Sequence, residues 1–147
     1  MFCLSMLFVI AGCGGAKDAR HKDLTPAAGT IFYKGTPVDD ATIVFHHEDA
    51  AKQGGSAISQ ADGTFVLRTF TGEGTYPGTY KVTVIKDKVT YPVSDEEMMR
   101  LEREGQDVPS PITQSLLPKK YRLKTTTDLT FTIPPTGDKE LKIELAD

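Results

Sequence analysis

From residue 28 onward, apolar and polar side chains alternate with period two, and Gly, Pro and Asp cut the alternation at short intervals. Successive residues of an extended chain point to opposite faces, so each run reads as a strand with one apolar face. Ile31 and Tyr33 share a face in the first run, and Ala41, Ile43 and Phe45 in the second. Ser56 to Gln60 is a weaker third. Ala61-Asp62-Gly63 is a tight turn in which Gly supplies a positive φ, and it leads to Phe65 and Leu67. Pro77-Gly78 turns into Tyr80, Val82 and Val84, with Thr83 on the opposite face. Leu129, Phe131 and Ile133 alternate with Thr130 and Thr132. After the break at Pro134–Gly137, Leu141, Ile143 and Leu145 alternate with Lys142 and Glu144. About seven such strands predict an all-β fold, an antiparallel sandwich whose outer faces meet water.

The stretch 87–115 breaks this rhythm and is long for a connection in a compact domain. Ser94-Asp95-Glu96-Glu97 has the spacing of a capping box, with acids in the first turn, and predicts a short helix over Asp95–Glu104. Its apolar stripe is thin, Met98 and Leu101, so the helix should dock weakly. Pro109, Pro111 and Pro118 should keep the chain extended as far as Tyr121. This insert is expected to be the most mobile part of the domain and its surface for partner contact.

The chain opens differently. Ten of the first twelve residues, MFCLSMLFVIAG, are apolar and none is charged. The run is too short for a helix that spans a bilayer, which needs about 20 residues. It reads as the apolar region of a signal peptide. Ile10-Ala11-Gly12-Cys13 resembles the bacterial lipobox: an aliphatic residue, two small residues, then Cys. It departs from the usual leader in having no Lys or Arg before the apolar run. The resemblance implies that the Cys13 thiol receives a diacylglyceryl group and that the leader 1–12 is cut off. Two or three acyl chains give lasting membrane anchorage where one is marginal. Residues 13–26, Gly-rich and charged at first, read as a flexible tether, and 27–147 as the sandwich domain.

Four motifs inside the domain resemble carboxypeptidase regulatory-like, transthyretin-like domains. They are G-T-I-F-Y-K-G-T-P-V-D-D-A-T-I-V-F (29–45), A-D-G-T-F-V-L (61–67), P-G-T-Y-K-V-T-V (77–84) and L-P-K-K-Y…T-T-D-L-T-F-T-I (117–133). The last is similar to the ending of short bacterial envelope lipoproteins that carry this domain. The sequence departs at Gln60, where relatives often carry Asp in a D-x-D-G turn, which weakens any calcium role for the turn at Asp62. The resemblance implies an Ig-like, prealbumin-like sandwich that acts as a binding or stabilising module without catalysis.

Composition narrows the chemistry. Lys+Arg 17 against Asp+Glu 20 gives a net charge of -3, with no electrostatic footprint for nucleic acid. Two Cys, of which Cys3 leaves with the leader, exclude a disulfide framework and a thiolate metal cluster. His46 and His47 are adjacent on a strand and so point to opposite faces, which suits solvated strand-end histidines better than a shared metal ion. Tyr121-Arg122-Leu123-Lys124 lacks the Gly-Ser that follows Tyr-Arg in the hydroxyisourate hydrolases of the transthyretin fold, and reads as a core Tyr beside a surface Arg. The acids Asp95, Glu96, Glu97, Glu102 and Glu104 read as a capped, wet helix face. Trp, the flattest sugar-stacking side chain, is absent. Tyr76 and Tyr91 are the candidate ligand-stacking aromatics, and Tyr80 has the setting of a tyrosine corner. The expectation is a non-enzymatic envelope lipoprotein, lipid-anchored through Cys13, that binds or scaffolds other envelope components, an envelope protein or a glycan, and uses no cofactor or metal. A carbohydrate- or peptidoglycan-binding module is the alternative.

Overall fold

The computed structural model describes residues 23–147; the stretch expected to be a leader, Cys13 and most of the expected tether lie outside the described residues. In chain order the strands are β1 (Ala27–Tyr33), β2 (Thr36–Pro37), β3 (Thr42–His47), β4 (Gly55–Ile58), β5 (Thr64–Val66), β6 (Arg68–Thr69), β7 (Gly72–Glu73), β8 (Gly78–Ile85), β9 (Asp87–Thr90), β10 (Ile112–Ser115), β11 (Thr130–Ile133) and β12 (Asp138–Leu145). One helix, α1 (Asp95–Arg103), lies between β9 and β10, and a 3-10 turn spans Lys119–Arg122. The expected strands are β1, β3, β4, β5, β8, β11 and β12; the remaining five are short pieces.

Two sheets face each other. One has the order β12-β1-β2, with β5 also on β1; the other runs β11-β8-β3-β4-β6-β7. Only Leu67 separates β5 from β6, so one extended segment passes from the first sheet to the second and closes that side of the sandwich. The turn before it is as the sequence predicts: Gly63 has φ 78, and Gln60 and Thr64 close the hairpin with a 2.8 Å backbone bond. Asp62 accepts from the Thr64 backbone N–H at 2.9 Å and hydroxyl at 2.6 Å, which holds its carboxyl below its ordinary value.

The inward faces form one core. Ile31, Ala41, Ile43, Phe45, Leu67, Tyr80, Val82 and Ile143 are fully buried. Phe45 sits at its centre, with ring centroids 6.4 Å from Phe65, 5.8 Å from Tyr80 and 6.0 Å from Phe131. Leu129, Phe131 and Tyr33 pack at its margin, partly buried.

One pairing departs from the antiparallel rule. β12 runs parallel to β1, with Ile31 opposite Ile143 and Tyr33 opposite Leu145. β11 ends with Ile133 beside Gly78, the chain crosses at Pro134–Gly137, and Asp138 donates to the Pro26 carbonyl at 2.9 Å. β12 therefore starts beside the start of β1 and must run with it.

The registers give the sandwich two distinct ends. At the entry end, Thr25 bridges Thr75, and the end also carries the 48–54 loop, the β6–β7 tip, Tyr76-Pro77 and Pro134–Gly137. The other end carries the turns at 34–40 and 59–63, the end of β12 and the departure of the insert after Ile85. There the insert is more ordered than its sequence suggests. β9 and β10 pair as a two-stranded antiparallel ribbon, from Asp87 opposite Ser115 to Thr90 opposite Ile112. α1 sits at the head of the ribbon, and none of its residues is buried. Ser94 Oγ caps it by accepting from Glu97 N at 3.3 Å. The reciprocal half of the capping box is missing because the Glu97 carboxylate pairs with Arg100, which lowers its pKa.

Candidate functional site

An open groove of about 760 Å³ lies at the entry end, lined among the described residues by Asp23, Leu24, Thr25, Ala51, Lys52, Gln53, Tyr76, Pro77 and Pro135. A second, of about 420 Å³, adjoins it through Gln53 and runs past His46 and Arg68 to Phe70.

Tyr76 is held in the wall of the larger groove by its backbone. Its carbonyl accepts the Tyr80 hydroxyl at 2.5 Å, and that hydroxyl also meets Thr75 Oγ1 at 3.0 Å. This is the tyrosine corner expected after Pro77-Gly78, with a hydroxyl reaching back four residues to the chain. Burial pushes the Tyr80 pKa up, and the Thr75 bond opposes the rise.

His46 and His47 point to opposite faces, as expected, but neither is simply a solvated strand-end residue. His47 is buried at 8% exposure, because it continues the inward phase of Ala41, Ile43 and Phe45. Its ring meets Tyr80 edge to face, its Nδ1 accepts from Asp49 N at 2.9 Å, and its Nε2 faces the Pro77 carbonyl at 3.4 Å. An accepting Nδ1 leaves the ring proton on Nε2, pointed at that carbonyl. His46, on the outer face, contacts Thr83 Oγ1 at 2.9 Å; partial burial, then the charge of Lys124, lower its pKa. Thr83 itself is only 5% exposed, so the outer face is covered at that point.

Tyr91 stands elsewhere. It follows the β9 ribbon strand, 47% exposed, and all of β8 and β9 separate it from Tyr76. β8 alone, at about 3.3 Å per residue, is roughly 26 Å long, so the two tyrosines do not form one platform. Tyr121 is buried in the core, and its hydroxyl exchanges 3.0 Å bonds with the Ala146 N–H and carbonyl. Arg122 is not merely a surface charge: it pairs with Asp87 at the base of the ribbon and reaches Ser115 Oγ at 3.5 Å. Of the helix acids, Glu97 and Glu104 pair with Arg100, and Asp95 and Glu96 stand in the first turn, where the helix dipole favours them. Among the described residues no three His, Cys, Asp or Glu side chains stand close enough to share a metal ion.

One residue that sequence reasoning passed over is Phe70. It occupies the tip of the β6–β7 hairpin and is 83% exposed, the most exposed large apolar side chain among the described residues. Its signal was an aromatic residue at a turn, Thr69-Phe70-Thr71-Gly72, where polar residues are the norm.

No protein-family model, curated protein or solved structure matches this chain.

Proposed function

We propose that this chain is a non-enzymatic bacterial envelope lipoprotein, held to a membrane by acyl chains on Cys13, whose β-sandwich presents a binding or scaffolding surface. The lipobox-like Ile10-Ala11-Gly12-Cys13 supports the anchor. The observation that carries the presenting role is the polarity of the sandwich. The chain enters at one end through Thr25 and Thr75, while the ribbon and α1 leave from the other. An anchored sandwich of this kind holds its insert away from the lipid. That insert exposes Val89, Tyr91, Met99 and Ile112, each between 47% and 63% accessible, around an unburied helix. Exposed apolar side chains on a projecting element suit contact with an envelope protein.

Photocrosslinkers at Tyr91 and Met99, in the native membrane, test this reading. It predicts a discrete protein adduct from those positions and none from Gln53 at the entry end. The same pattern from all three positions, or no adduct at all, would count against it.

A glycan-binding role is the second reading, and the place of Tyr76 in the groove wall favours it. Because Tyr76 and Tyr91 lie at opposite ends, it predicts that saturable binding to peptidoglycan falls in Tyr76→Ala and is unchanged in Tyr91→Ala.

A further inference from the structure

We infer that the entry end of the sandwich rests on the phospholipid surface, with Phe70 as a side-chain membrane contact additional to the acyl anchor. The inference rests on the lipid-anchor reading of Cys13 and takes its geometry from where the chain enters the fold. Ten residues, Gly14 to Asp23, connect Cys13 to the domain, and fully extended they reach at most about 35 Å. Thr25 is pinned to Thr75 by two backbone bonds of 2.8 and 2.9 Å, so the link attaches at this end and cannot slide toward the other.

The end so tethered carries apolar side chains among polar ones, with Asp23, Lys52 and Gln53 also lining its groove. Phe70 stands 83% exposed at the hairpin tip. Leu24, Ala51, Pro77 and Pro135 line the larger groove, which meets the one that Phe70 lines at Gln53. Tyr76 in the same wall has an apolar ring and a polar tip, the kind of side chain that collects where hydrocarbon meets water. An isolated Phe on a surface is ordinary. What distinguishes Phe70 is that it stands at the end where the chain arrives from Cys13, the end with the shortest path to the anchor. Anchoring makes the contact intramolecular, so a weak contact is populated that would fail in a free protein. The hairpin that carries Phe70 is fixed by the Arg68–Glu73 and Thr69–Gly72 pairs, and Thr69 Oγ1 bonds the Gly72 carbonyl at 3.2 Å. The tip is thus a rigid mount for an apolar side chain.

The chain contains no Trp, so one introduced indole reports its own position. The full-length lipoprotein, made in bacteria and reconstituted in phosphatidylethanolamine–phosphatidylglycerol vesicles, would carry either Phe70→Trp or, at the opposite end, Tyr91→Trp. Both sites are exposed, so neither change disturbs the core. Lipids brominated on the acyl chains quench indole only at short range. The expected result is quenching several-fold stronger at position 70 than at position 91, with both proteins floating with the vesicles. A protein that floats but is quenched weakly and equally at both positions overturns this inference and leaves the anchor standing. A protein that does not float overturns the anchor, and this inference with it.

Discussion

His47 and Tyr80 meet edge to face with ring centroids 4.8 Å apart, and together they seal the entry end of the core. The Gly78 backbone lies against the same histidine: a Cβ there would come within 2.3 Å of His47 Nε2, at a φ of 149. Histidine, tyrosine and glycine thus fix the start of β8, and through the Tyr80 hydroxyl they fix Tyr76 in the groove wall.

Removing that hydroxyl should be costly for so small a change. Tyr80→Phe leaves the buried Thr75 hydroxyl and the Tyr76 carbonyl without a partner, at a cost of about 1–3 kcal/mol. Gly78→Ala should destabilise by more than about 1 kcal/mol through clash and strain. Urea unfolding with unchanged slope would register both, and wild-type midpoints would contradict the corner.

The core should answer to volume. Phe45→Ala or Phe65→Ala should cost about 3–5 kcal/mol, a large part of the stability of such a domain. Thr83→Ala should cost about 1 kcal/mol, because Thr83 is buried and bonded to His46 but contributes little apolar volume. Equal losses at Phe45 and Thr83 in the same unfolding assay would refute the assignment of faces.

Acidification should weaken the fold through His46. Its folded pKa lies below the ordinary value of 6.5, so the unfolded chain takes up the proton more readily. The stabilisation is complete above the unfolded pKa and is lost as pH falls from about 6.5 through the folded value. Melting temperature should therefore drop between neutral pH and about pH 5, and His46→Gln should flatten that drop. Identical pH profiles for the two proteins would show that His46 has no part in it.

Within the domain, the insert should be the first segment cut by protease. α1 buries nothing, and a helix of nine residues is marginal without tertiary support. Trypsin should cleave after Arg100 or Arg103 and leave the sandwich folded. The ribbon base, tied by Arg122 to Asp87, should survive longer than the helix, and Arg122→Ala should speed its loss. A helix that resists trypsin as long as the strands do would make the insert part of the core.

The sequence told which residues face inward far better than which strands pair. Period two fixes a face, so Ile31, Phe45, Val82 and Ile143 were legible. It says nothing of partners, so the parallel match of β12 to β1 was not, and it followed from a crossover at the entry end. His47 was legible in principle, since it continues the phase of Ala41, Ile43 and Phe45; its polarity disguised it. The ribbon was invisible because Asp87–Thr90 and Ile112–Ser115 lack an apolar face, and backbone bonds hold them together. Of the two candidate tyrosines, the sequence could not show that β8 and β9 separate them. Nor could it show that Phe70 crowns the end where the chain enters.

The proposed anchorage of the sandwich to a bacterial membrane through Cys13 is tested most directly by mass spectrometry of the N-terminal peptide from native membranes. The expected result is a mature chain that begins at an acylated Cys13. Cys13→Ser should leave an unprocessed or soluble, unacylated chain. An unmodified Cys13 in a peptide that runs on unbroken from Gly12 would contradict the account.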